Sequence, residues 1–128
     1  MDNNLNSIQE QIDQNSNNTD QALSFILGQE EYGVDILRVQ EIKGWEKTTP
    51  IPNTPIYVMG VINLRGAVVP IIDLRVRFGL KDVTYNETTV VIIVRSEDNT
   101  GVQKIIGLVV DGVSDVYTIN KKELQVAP

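Results

Sequence analysis

Short β-branched runs cut by glycine and proline fill the chain from Leu23 onward, and no other feature constrains the fold as much. Leu23, Phe25 and Leu27 alternate with Ser24 and Gly28 at the start, and residues 32–36 return after a turn at Gln29 and Glu30, as in a hairpin. Ile36, Val39 and Ile42 have helical spacing, but β-branched Val39 and Ile42 and the closing Gly44 favour a strand from about Arg38. Pro50, Pro52 and Pro55 make residues 47–57 a loop of fixed shape. Residues 61–64 and 67–74 read as two strands joined at Arg65 and Gly66, where Gly66 supplies the positive φ of a tight turn. Pro70 places the second of them at a sheet edge or a bulge, and residues 74–80 admit one helical turn. Residues 88–95 are apolar at successive positions, so both faces of this strand are expected to be buried between two packed layers. Strands over 104–110 and 113–119 complete the set. Such a series of short strands, with at most one short helix, spells an all-β barrel or a pair of small barrels.

Residues 1–22 differ in texture. They hold ten Asn and Gln and few bulky apolar groups, so burial cannot offset their ordering entropy and a disordered tail is expected. Leu5, Ile8 and Ile12 have the spacing of an amphipathic turn or two docked on a partner, but composition favours a solvated segment. The formal charge of -6 comes from 11 Lys+Arg against 17 Asp+Glu, and Asp2, Glu10, Asp13 and Asp20 lie here, which leaves 13 acids against 11 bases elsewhere. That balance argues against a nucleic-acid groove and against docking on an anionic membrane. No aliphatic run approaches the ~18 residues of a membrane span, and the start lacks a leader pattern, so a cytoplasmic protein without membrane insertion is expected.

Catalysis is constrained by what is missing. The chain has no Cys and no His, which removes thiolate nucleophiles, sulfur-ligated metal, imidazole bases and the His-based triad. Phosphate-cradling glycine patterns are absent. Asp111 and Asp115 flank Gly112 and Val113 where a calcium loop needs oxygen ligands, so they read as turn carboxylates. Adjacent Glu30 and Glu31 point to opposite faces of a strand and share no substrate. A Ser–Lys pair using Ser96 or Ser114 stays formally open, yet neither an enzyme nor a cofactor or metal site is expected. Binding features remain. Arg65 at a hairpin tip presents a guanidinium fork, and Val39, Glu41, Ile42 and Trp45 line either an apolar edge with a charged rim or, as the pattern alone favours, ordinary core at Val39 and Ile42.

Several of these runs are recognisable together. Gly60-Val61-Ile62-Asn63-Leu64-Arg65-Gly66, Val69-Pro70-Ile71-Ile72-Asp73-Leu74-Arg75 and Gly107-Leu108-Val109-Val110-Asp111-Gly112-Val113-Ser114-Asp115-Val116 resemble the bacterial chemotaxis coupling proteins of the CheW family, and the resemblance spans residues 23–128. It implies two small SH3-like five-stranded β-barrel subdomains sharing an apolar core, and a non-catalytic adaptor that joins chemoreceptor cytoplasmic tips to the regulatory domain of the histidine kinase CheA. Residue by residue, it assigns Val39, Glu41 and Ile42 to the kinase. It assigns Ile36, Gly60, Arg65, Val90, Val113 and Val116 to the receptor groove. Members usually continue past the position of Pro128, so a C-terminal closing segment is expected to be missing, leaving strand edges open. The alternatives are the coupling half of a CheV-type protein, in which a receiver domain follows, and, from another class, a small metabolite-binding β-barrel. The last predicts a closed pocket with converging polar groups, the adaptor exposed apolar grooves.

Overall fold

The computed structural model describes residues 2–14, 21–81, 83–97 and 99–118, and in it the β-branched runs become eight strands in two sheets. In the first sheet β1 (Gln21–Leu27) is central, antiparallel to β2 (Glu30–Asp35) on one side and to β8 (Gly112–Thr118) on the other. The second sheet runs in the order β3 (Val39–Gly44), β6 (Val90–Glu97), β7 (Gln103–Val110), β5 (Ala67–Asp73), β4 (Val58–Leu64), with only the β5–β7 pair parallel. The architecture is the expected two-part β fold. One sheet has the expected five strands and the other has three among the described residues.

Strand β6 joins the two halves. Val90, Ile92 and Val94 enter one apolar core with Leu23, Phe25, Leu27, Ile36, Val39, Ile42 and Val110. Val91 and Ile93 point the other way, into a second core with Ile62, Leu64, Val69, Ile71 and Val109. Alternation along a strand sends successive side chains to opposite faces, and here both faces are covered, which is why the run is apolar throughout. Each such side chain contributes ~1.5–3 kcal/mol on burial, so a single strand stabilises both halves.

Local chemistry accounts for most of the connections. Arg65 and Gly66 both take positive φ (49° and 90°), a two-residue turn of the primed type that matches strand twist, and Asn63 Oδ1 accepts the Gly66 N–H at 2.9 Å. The glycine was foreseen as left-handed; the arginine was not. Pro70 lies in an interior strand rather than at an edge, beside the bulge of β4 between Val58 and Gly60. It stands opposite Val61, and β5 begins to pair with β7 only at Ile71, so no ladder bond needs the missing N–H. Helix α2 (Leu74–Arg77) starts at Asp73, whose carboxylate caps the Arg75 N–H at 2.9 Å.

The N-terminal segment departs from expectation. Asp2–Gln14 is a helix, α1, not a disordered tail, and Ile8 and Ile12 are 2% and 1% exposed within the first core. Leu5, Ile8 and Ile12 form one stripe, and seating that stripe on an existing core offsets the ordering cost that the polar composition could not. The folded domain also begins two residues earlier than expected, at Gln21. Residues 15–20 and 119–128 lie outside the described residues, and with them part of the expected tail and the end of the expected last strand.

Candidate interaction site

Val39, Glu41 and Ile42 share β3, an edge strand paired with β6. Plain alternation would put Val39 and Ile42 on opposite faces. The register shifts between Val39 and Glu41, and this bulge resets the parity so that both face the first core, 2% and 7% exposed. These two side chains are core, as the sequence pattern alone favours, while their backbone lies on the strand that the resemblance assigns to the kinase. Glu41 points elsewhere. Its Oε1 accepts a hydrogen bond from Arg65 Nη2, so a residue assigned to the kinase and one assigned to the receptor are joined in one ion pair.

The receptor set divides. Ile36 and Val90 are 0% and 3% exposed and pack in the first core. Ile36 opens a 3₁₀ turn over Ile36–Arg38 that Arg95 pins by donating to the Leu37 carbonyl at 3.0 Å. Val113 and Val116, half-buried on β8, pack against the same core. Gly60 is on the other sheet, at φ 131°, where a Cβ would come within 2.2 Å of the Thr49 carbonyl oxygen. Its smallness lets Thr49 and Val61 exchange backbone hydrogen bonds of 2.9 Å, which ties the proline loop to β4. Arg65 alone of the set is prominent, its side chain 66% exposed at the hairpin tip.

Sequence reasoning missed a second arginine. Arg75 is 2% exposed, grips Asp73 with Nε and Nη2 at 3.0 Å each, and donates from Nη1 to Asp111 at 3.0 Å and to the Thr84 carbonyl at 2.6 Å. Asp111 in turn accepts the Gly28 N–H at 2.7 Å, so this clasp ties the β1–β2 turn to the end of β5. Tyr85 lies over the guanidinium, 4.9 Å from ring centre to Cζ, donates to Asp73 at 2.7 Å and stacks on Trp45. Burial alone would raise the Asp73 pKa, but the hydrogen bonds from Arg75 and Tyr85 and the Arg75 charge hold it below the usual carboxylate range. Burial and the bond to Asp73 push the Tyr85 hydroxyl up to about 12. The motif Asp73-Leu74-Arg75 was a signal for this pair, but Asp111 is 36 residues from Arg75 and only the fold brings it there. Among the described residues no group of three His, Cys, Asp or Glu could hold a metal, and no helix is long and apolar enough to cross a membrane.

The family model for the CheW-like domain matches residues 21–128. The chain belongs to the CheW-like domain family. The domain is 54% identical over 106 residues to the chemotaxis protein CheW of Klebsiella aerogenes, covering 83% of this chain and 61% of that protein. It is 40% identical over 108 residues to the chemotaxis protein CheW of Rhizobium meliloti, covering 84% of this chain and 66% of the relative. The crystal structure of the scaffolding protein TtCheW from Thermoanaerobacter tengcongensis superposes with a TM-score of 0.75 at 36% identity, covering 86% of this chain and 72% of that one. The chain thus spans less than two thirds of the length of these two curated relatives. The eight strands among the described residues fall inside the family match, while α1 precedes it.

Proposed function

We propose that this chain is a non-catalytic adaptor that couples the cytoplasmic tips of chemoreceptors to the regulatory domain of the histidine kinase CheA in chemotaxis arrays beneath the inner membrane. The observation that carries the reading is the Arg65–Glu41 pair on a CheW-like domain: an exposed guanidinium, held on a rigid turn, in contact with the strand assigned to the kinase. Two cores packed on opposite faces of one strand, β6, keep the kinase side and the receptor side in fixed relative orientation, which is what transmission without chemistry requires. Glu41 and Arg65 supply charge complementarity at the surface, and the apolar side chains assigned to either partner act by shaping the strands beneath.

The contact between the two residues means that the two faces are not independent. A charge-reversal cycle tests this. Arg65→Glu alone sets two carboxylates against each other and is expected to abolish receptor-stimulated kinase activity in a reconstituted mixture of receptor fragment, CheA and this protein. Adding Glu41→Arg restores the pair in the opposite sense. Recovery in the double variant shows that the pair acts as a unit, and continued loss shows that each residue meets a partner directly. Full signalling by Arg65→Glu alone would sink the proposal.

A further inference from the structure

Helix α1 lies outside the family match, which begins at residue 21, yet it is seated on the domain. Its Ile8 and Ile12 share the core cluster that holds Val39 and Ile42, with half-buried Leu5 packed beside them. Gln9 reaches the edge of the sheet, where its Oε1 accepts the Ile42 N–H at 2.9 Å. Among the described residues β3 pairs in the sheet only with β6, so the Ile42 N–H is on the open side of an edge strand, a group that invites an incoming chain unless something covers it. The cover here is a side-chain amide.

Three properties make this cover removable. The contact rests on one stripe of three apolar side chains; the rest of the helix is polar, and a 13-residue helix of this composition is marginal unless docked. A neutral amide oxygen on the Ile42 N–H is replaced one for one by any other carbonyl, without leaving a buried donor unmatched. A cleft of ≈ 520 Å³ also runs along the seam, lined by Leu5, Gln9, Gln40, Glu41, Ile42 and Lys43, which gives a competing side chain a way in.

We propose that α1 is a displaceable cover that competes in cis with the kinase regulatory domain for the β3 edge. The inference rests on the reading of β3 as the kinase face. While α1 is docked, only the undocked fraction of molecules accepts the kinase, and apparent affinity falls by that fraction. Undocking opens the edge next to Glu41, so the same event that admits the kinase alters the surroundings of the Arg65 pair.

Hydrogen exchange and titration with a purified CheA regulatory domain test this in the full chain. In the free protein, α1 amides are expected to exchange well ahead of β6; on adding the kinase domain, α1 loses protection as β3 gains it. Ile8→Ser/Ile12→Ser is expected to tighten binding about fivefold or more. Gln9→Ala, which removes the plug and an exposed hydrogen bond to Asp13, shifts it in the same direction by less and decides the matter if the double variant loses β6 protection. Equal affinity of wild type and both variants, or α1 protection that persists in the complex, overturns the cover and leaves the adaptor reading standing. Absence of binding by wild type and variants alike overturns both.

Discussion

Two arginine–carboxylate contacts in this molecule look alike in a contact list and differ in nearly everything physical. Arg75 and Asp73 are 2% and 0% exposed, and Arg75 commits donors to Asp73, Asp111 and a backbone carbonyl. Arg65 and Glu41 are 66% and 23% exposed, with one hydrogen bond between them. A buried pair of this kind is costly to desolvate and tolerable only when fully matched, whereas an exposed pair is screened and adds little stability. Yet the exposed arginine sits in a left-handed backbone conformation that costs an L-residue roughly 1–2 kcal/mol. Nature maintains strain where position matters more than stability. The first contact is architecture; the second is the one the proposed function assigns to partners.

Breaking the buried contact is expected to have the largest effect. Arg75→Met leaves the Asp73 charge walled in with only Tyr85 and the Arg75 backbone N–H for support, and should destabilise the fold by about 3–5 kcal/mol in urea titration. A loss below ~1 kcal/mol would mean the clasp is decorative. Val39→Asp asks the complementary question by placing a carboxylate in the first core with no arginine to meet it. A loss of at least ~3 kcal/mol is expected, and retention of a wild-type midpoint would show that β3 is not packed as described.

Tyr85→Phe removes one hydrogen bond to a buried charge and should cost about 1.5–3 kcal/mol. Its pH signature is more specific. The folded chain holds the Tyr85 proton up to about 12, against an ordinary 10.0, so the contribution is complete below pH 10.0 and fades as pH rises through about 12. That alkaline loss should disappear in Tyr85→Phe. At the acid end Asp73 behaves in the opposite sense: its contribution is complete above 3.8 and is lost as pH falls through its lower folded value. The smallest effect belongs to the exposed contact. Arg65→Asn, which tolerates a left-handed backbone, should leave the thermal midpoint unchanged or slightly higher while receptor coupling is lost. A clear drop in midpoint would erase the contrast between the two arginines.

What the sequence disclosed follows the same physical lines. Strand β6 was legible because double burial writes itself as an unbroken apolar run. The hairpin at Gly66 was legible because glycine marks positive φ; Arg65 carries no such mark, and its strain emerged only with the turn. At β3 a bulge gave Val39 and Ile42 a helix-like spacing in a strand, where period alone points to a helix and the β-branched side chains point to the strand that forms. Helix α1 was missed because composition averages over a segment, while docking depends on whether three apolar side chains have a core to meet. The Asp73–Arg75–Asp111 clasp was hidden by distance along the chain.

Because successive side chains of β6 belong alternately to one core and to the other, neither half owns its own wall. The two lobes are therefore expected to melt together in a single transition, and a nudge delivered to one lobe to reach its twin through a common partition instead of a hinge. Under the proposed adaptor role, stiffness of that kind leaves little slack in which a displacement could dissipate.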